Sequence, residues 1–102
     1  MTWGVLLSDN AKRDLREIRD YIANDLRVPE TAGELIVRIL KAAHSLAFMP
    51  FRHRIYETEP WHSIGVRVLP VDKYLILYLP DETKKTVEII RVVYGRRNME
   101  NI

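Results

Sequence analysis

The stretch GVRVLPVDKYLILY, residues 65–78, decides the fold of this chain. Its two halves are rich in branched and aromatic residues, as strands are, and only Asp72 and Lys73 separate them, a turn short enough for an antiparallel hairpin. A third run of this kind, Thr86 to Tyr94, follows the polar segment 80–84. The sequence therefore predicts a three-stranded antiparallel meander, with strands over residues 64–71, 74–79 and 86–94.

The chain before this meander predicts one strand and two helices. Trp3 to Leu7 is a short apolar run, and the polar residues 8–10 that follow can cap a helix. Apolar residues then recur at steps of three and four, first over residues 11–26 and again from Pro29 until Pro50 stops the pattern. Two helices joined by so short a turn pack as a hairpin. We predict an α+β fold of order βααβββ, a single domain over residues 1–102 whose helices pack on one sheet face.

Alternation along the three strands divides their side chains between two faces, because successive residues point to opposite sides of a sheet. One face is purely aliphatic and is expected to lie against the helices: Val66, Val68, Leu75, Leu77, Leu79, Ile90 and Val92. The other mixes rings, aliphatic residues and arginines: Arg67, Leu69, Tyr74, Ile76, Tyr78, Ile89, Arg91, Val93 and Arg97. Such a mixture is unusual for a surface that meets only water, so we expect a binding surface there.

Composition excludes several classes of protein. The 102 residues suit one hydrophobic core and leave no room for a large cofactor domain. Without cysteine the chain can form no disulfide, thiolate zinc site or thiol nucleophile. No apolar run approaches the ~20 residues of a membrane span, and the first residues do not read as a secretion signal. We expect a cytoplasmic protein without a cofactor, a metal or a membrane partner.

Charge is small in total but uneven along the chain. The formal net charge is +2, whereas the segment from Arg91 to Arg97 holds three arginines and no acid. The distribution of charge along the chain is more informative than the net charge, so this segment predicts a local basic site.

The order of elements resembles the RelE/ParE superfamily of toxins across almost the whole chain. Residues 65–78 look like the family's central hairpin, and the segment from Ile89 to Arg97 is similar to its last strand, which ends in a glycine followed by basic residues. The resemblance implies the toxin of a bacterial type II toxin-antitoxin system, linked to growth inhibition and plasmid stabilization. It also implies a cognate antitoxin, whose acidic and apolar C-terminal segment blocks the toxin.

The superfamily implies two alternative targets. RelE-like members cut messenger RNA in the ribosomal A site without a metal, whereas ParE-like members stall DNA gyrase. By position, Arg67 and Arg97 match the family's basic residues and would be catalytic in a ribonuclease. The tail 98–102 lacks the further Tyr or His of the mRNA-cutting branches, and the long helix hairpin resembles ParE, so gyrase is favoured. A non-toxic module that binds nucleic acid is the second alternative.

The predicted mixed face supplies the binding residues of all three hypotheses: Arg67, Tyr74, Tyr78, Arg91 and Arg97. Arginine can hold phosphate through paired hydrogen bonds, and rings can stack on bases. The aliphatic residues Ile76, Ile89 and Val93 beside them would suit an acidic, amphipathic antitoxin segment that folds as it docks. Nothing in the sequence fixes an oligomeric state.

The three histidines are the remaining candidates for proton transfer. His44 falls within the second helix, where a surface or packing role is expected. His53 and His62 lie in the loop before the sheet with Glu57 and Glu59 between them, which fits either an acid-base pair or simple solvation. Their spacing matches no metal-ligand pattern, and Trp61 is expected to pack this loop down.

Overall fold

The helices and strands follow the predicted order in a computed structural model that describes residues 2–95. The elements are β1 (Gly4–Leu7), α1 (Asp9–Asp20), α2 (Pro29–Ser45), α3 (Trp61–Ile64), β2 (Arg67–Val71), β3 (Tyr74–Asp81) and β4 (Thr86–Tyr94). A wider helical turn, Tyr21–Asp25, continues α1, and a short 3₁₀ turn, Pro50–Arg52, follows α2. The predicted α+β fold is confirmed, with the single turn of α3 added inside the expected loop.

The four strands form one sheet in the order β1-β4-β3-β2. Strands β2, β3 and β4 are the antiparallel meander, and β1 lies parallel to β4, with Gly4 opposite Thr86 and Leu7 opposite Ile89. A parallel pair needs a long connection between its strands, and the helix hairpin supplies part of it. Within residues 2–95, the first strand therefore pairs with the last.

The start of α1 is fixed to this parallel pair by one serine. The Ser8 hydroxyl accepts a hydrogen bond from the Ala11 amide at 3.0 Å, as a helix cap does, and donates to the Ile90 carbonyl at 2.8 Å. Behind it, Ala11 is fully buried. The residue that begins the helix thus also sets its position on β4.

The predicted assignment of the sheet faces is wrong except at Val92, because the helices cover the face with the rings. Helix residues such as Leu15, Leu35 and Ile39 share one core with the strand residues Ile76, Tyr78, Val87, Ile89 and Val92. Ile76, Tyr78 and Ile89 have no exposed surface. The aliphatic residues expected to bind the antitoxin, Ile76, Ile89 and Val93, are therefore buried, whereas Arg67, Tyr74 and Arg91 are half-buried.

Two features of the strands explain the error. β3 is apolar at nearly every position, so alternation does not mark which face is the inner one. In β4 the register shifts between the partners of Leu77 and Tyr78, which are Arg91 and Ile89, so Ile90 is an extra residue. Such a bulge breaks the period of two, and Ile89 and Val92 both reach the helix-side core.

The opposite face of the sheet is covered by the loop between α2 and β2. Tyr56 and Trp61 pack on a second core of Val66, Val68, Leu77 and Val93, as expected for Trp61. The loop is held to the edge of the sheet by the Tyr56 amide, which donates to the Val66 carbonyl at 2.8 Å. Both faces of the sheet are thus covered, which is why its strands are apolar on both sides.

Candidate functional site

Arg67 lies at the start of β2, opposite Tyr78 of β3, and its guanidinium group is turned toward the loop. Nη1 donates to the main-chain carbonyls of Phe51 at 3.1 Å and His53 at 2.6 Å. The Cζ atom also lies 5.0 Å from the centre of the Phe51 ring, a cation-π distance. Arg67 therefore ties the loop to the sheet, while its half-buried side chain keeps part of its cationic surface accessible.

Tyr78 and His53 fill the space beneath Arg67. The Tyr78 hydroxyl donates to the Pro50 carbonyl at 2.7 Å, and the two rings meet edge to face at 6.3 Å. Burial raises the pKa of Tyr78 to about 12, whereas burial, and then the charge of Arg52, lowers the pKa of His53. Among residues 2–95 nothing forms a hydrogen bond with the buried Nε2 of His53. This arrangement suits a neutral, internal imidazole.

Arg91 is the second candidate arginine, and it is paired inside the fold. Its Nε and Nη2 donate to the two carboxylate oxygens of Asp14 on α1 at 2.8 and 2.9 Å, and the Val92 amide donates to the same carboxylate at 2.9 Å. The side chains of Arg91 and Asp14 are 14% and 7% exposed. The hydrogen bonds to Asp14 raise the pKa of Arg91. The pair joins α1 to β4 and leaves little free charge.

Tyr74 lines an open groove between the end of α1 and the sheet. The groove has a volume of about 470 Å³ and is lined by Tyr21, Tyr74, Tyr94, Glu17 and other residues of α1 and β4. The rings of Tyr74 and Tyr94 meet edge to face at 5.7 Å. Burial, followed by the neighbouring Tyr94 and Tyr21, raises the pKa of Tyr74. The accessible polar groups of this groove are phenolic hydroxyls and carboxylates.

A cluster that the sequence analysis missed lies where α2 ends. The Trp3 and Phe51 rings meet edge to face at 5.6 Å, with Lys85 Nζ 5.0 Å from the Trp3 ring and Arg67 beside Phe51. Phe48 and Met49, which shortly precede Phe51 in the chain, are 56% and 74% exposed. We call this surface, Trp3, Phe48, Met49 and Phe51 with Lys85 and Arg67, the aromatic platform. Its signal in the sequence was the run Phe48-Met49-Pro50-Phe51, which is too apolar for a simple turn.

The other histidines and the acids beside them lie on the surface. His44 is exposed on α2, as expected, and His62 is exposed on α3 with its Nδ1 3.8 Å from Glu59. Hydrogen bonds from the hydroxyl and amide of Ser63 lower the pKa of Glu59. Over residues 2–95 the structure shows no cluster of three side chains that could hold a metal ion. It also shows, over the same residues, no helix long and apolar enough to cross a membrane.

The structure does not bring the predicted site residues together. Arg67 and Tyr78 meet under the loop, Arg91 pairs with α1, and Tyr74 lines the groove. Arg97 lies outside the described residues. The binding roles of these residues remain predictions, although the face on which they were placed is not an open surface.

Comparison with known proteins identifies the fold. The chain is similar to the chromosomal ParDE toxin-antitoxin system of P. aeruginosa, with a TM-score of 0.76 and 21% identity over 91% of this chain and 96% of that one. It is also similar to the RelBE2 toxin-antitoxin complex of Mycobacterium tuberculosis, with a TM-score of 0.67 and 22% identity over 92% of each chain. A mutant E. coli RelE toxin gives 0.63 and 12% identity over 94% of this chain and 86% of that one.

Sequence comparison identifies the family. A search of curated protein sequences gives no significant match. The sequence model of the family described as "ParE toxin of type II toxin-antitoxin system, parDE", however, matches residues 5–99, nearly the whole chain. The chain therefore belongs to the ParE toxin family of type II toxin-antitoxin systems, within the RelE/ParE superfamily.

Proposed function

We propose that this toxin arrests bacterial growth by binding DNA gyrase through protein contacts and does not cut RNA. The observation that carries the proposal is that both described candidate arginines are engaged by hydrogen bonds within the protein. Arg91 is neutralised by the buried carboxylate of Asp14, and Arg67 donates to the carbonyls of Phe51 and His53. The match of the ParE family model to residues 5–99 supports the same branch.

A ribonuclease would need a different arrangement. Metal-free cleavage requires a base for the 2′-hydroxyl, a cation for the charged phosphorane and an acid for the leaving oxygen. The histidine beside Arg67 is His53, whose Nε2 is buried and so is not exposed toward a substrate in this structure. Within residues 2–95, Arg67 and His53 are therefore neighbours, but their contact holds the loop against the sheet.

The test is DNA supercoiling by purified gyrase with increasing amounts of the chain. We expect relaxed plasmid to persist as the toxin is added. A parallel translation extract scores cleavage of ribosome-bound messenger RNA. The ribonuclease hypothesis replaces ours if supercoiling is untouched while message is cut, and Arg67→Ala or Arg97→Ala should then abolish the cutting. A harmless chain that binds nucleic acid with a steep salt dependence would favour the second alternative.

We further propose that the toxin acts in the cytoplasm and is held inactive by a cognate antitoxin. Three solved structures of similar fold support such a partner, since they are described as a ParDE toxin-antitoxin system, as the RelBE2 toxin-antitoxin complex and as an archaeal RelE-RelB complex. Expression of the chain alone should stop growth, and co-expression with the product of the neighbouring gene should restore it. Failure of that product to co-purify with the toxin would contradict this partner assignment.

A further inference from the structure

The aromatic platform combines rings and cations in an arrangement that is unusual for an exposed surface. Two cations enclose two rings in series: Arg67 Cζ lies 5.0 Å from the Phe51 ring, the Phe51 and Trp3 rings meet at 5.6 Å, and Lys85 Nζ lies 5.0 Å from the Trp3 ring. These residues come from β2, from the turn after α2 and from the segments just before β1 and β4. The fold thus assembles rings and charges from four parts of the chain in one place.

Two residues of the platform also hold a backbone conformation that favours glycine. Met49 and Lys85 have φ angles of 49° and 54°, in the left-handed region. Met49 lies four residues after the end of α2, at the start of the 3₁₀ turn Pro50–Arg52, and its side chain is 74% exposed. Its side chain gains little from the fold and its backbone is strained. A strained backbone whose side chain is not needed for folding is a reason to expect a contact with another molecule.

We propose that the aromatic platform is the surface by which the toxin contacts its protein target. The complementary surface would be acidic and would carry an apolar pocket for Met49 and Phe48. This inference rests on the proposed function, because it assumes a protein target, and it adds the location and the chemistry of the contact. Exposed rings and methionine anchor protein interfaces well, and cations at the edge steer an acidic partner toward them.

The construction favours a protein over a nucleic acid. A cation lies against the Phe51 ring and another against the Trp3 ring, so each ring has less open face on which a base could stack. Two of the neighbouring arginines are engaged by main-chain carbonyls: Arg67 by Phe51 and His53, and Arg52 by Phe48 and Ser45. A phosphate backbone needs a longer row of free cations. A second copy of the chain would bring like charges together.

The residues with a left-handed backbone conformation allow a test that separates loss of binding from loss of stability. Met49→Gly and Lys85→Gly each remove a platform side chain at a position where glycine relieves strain. Arg27→Gly is the matched control, because Arg27 also has a positive φ, of 56°, but precedes α2 at the end far from the platform. We expect each platform variant to melt at or above the wild-type temperature and to inhibit gyrase about tenfold less, as loss of an interface anchor does.

Each outcome of this experiment has one meaning. Wild-type inhibition retained by Arg27→Gly and lost by Met49→Gly supports the platform as the target surface. Equal inhibition by all three variants overturns the platform while leaving gyrase as the target. No inhibition by the wild type overturns the proposed function itself. A platform variant that loses binding to single-stranded RNA, or that changes the oligomeric state in sedimentation, overturns the assignment to a protein target.

Discussion

At the scale of single residues, the pair of Arg91 and Asp14 shows how a charged candidate for function can be structural. Asp14 lies on the inner side of α1, and its carboxylate receives three donors from β4. The sequence revealed a basic residue in a strand and an acid in a helix, 77 residues apart, with nothing to join them. Only the packing of α1 on β4 makes them partners.

Removal of one partner should leave an uncompensated charge in the interior. We expect Asp14→Ala to lower the free energy of unfolding by about 3 to 5 kcal/mol, measured by chemical denaturation. The double variant Asp14→Leu with Arg91→Met should recover most of that loss, because both charges are gone. Asp20→Ala is the control, since its pair with Arg19 is more than half exposed and should contribute less than about 1 kcal/mol. Equal losses in Asp14→Ala and Asp20→Ala would contradict this role.

Tyr78 gives a second prediction at this scale. Its hydroxyl donates to the Pro50 carbonyl from a fully buried position. Tyr78→Phe should lower the free energy of unfolding by about 1 kcal/mol at pH 7, the usual net value of one hydrogen bond. Because burial raises the pKa of Tyr78 from 10.0 to about 12, the wild-type chain should also lose stability as the pH rises above 10. Tyr94→Phe, at an exposed ring, should be neutral at pH 7.

At the scale of secondary structure, the existence and order of the elements could be predicted, but the direction of their side chains could not. The bounds predicted for β4, residues 86–94, agree with the structure, because β-branched residues and short polar turns are local signals. The bulge at Ile90 is not local, since it depends on how β4 pairs with β3. It puts Ile89 and Val92 on the same side of the sheet, so alternation along β4 could not assign its faces.

The junction of β1, α1 and β4 depends on Ser8. Its hydroxyl accepts from the Ala11 amide and donates to the Ile90 carbonyl, so one side chain both caps α1 and positions it on the sheet. Ser8→Ala should lower the free energy of unfolding by about 1 to 2 kcal/mol. Ser8→Thr keeps the hydroxyl and should recover most of this loss. If Ser8→Thr is as unstable as Ser8→Ala, the hydroxyl is not the cause.

At the scale of the whole molecule, the sheet is enclosed by the helices on one face and the loop on the other. Apart from the packing of Trp61, the loop could be predicted only as a connection, because its residues carry no period. Its contacts are long-range: Tyr56 and Trp61 pack on strand residues, and Arg67 binds the loop's carbonyls. The aromatic platform arises from the same contacts, so it too could not be located from the sequence.

The packing of His53 in this loop predicts how the stability of the protein depends on pH. Burial and the charge of Arg52 lower the pKa of His53 in the fold below its ordinary value of 6.5. The unfolded chain therefore binds this proton more tightly, and the contribution of His53 to stability is complete above pH 6.5 and is lost as the pH falls below it. His53→Phe should flatten the unfolding free energy between pH 7 and pH 5. His44→Gln, at an exposed position, should leave that slope unchanged.

The parallel pairing of β1 with β4 determines when the sheet can be completed during synthesis. Residues 4–7 leave the ribosome well before their partner strand, residues 86–94, so the sheet stays incomplete until β4 has been made. Truncated products that end before β4 cannot form the sheet order seen here. On the proposed function, fragments that end before β4 should therefore leave growth unaffected when expressed alone, and a growth defect caused by such a fragment would contradict this view.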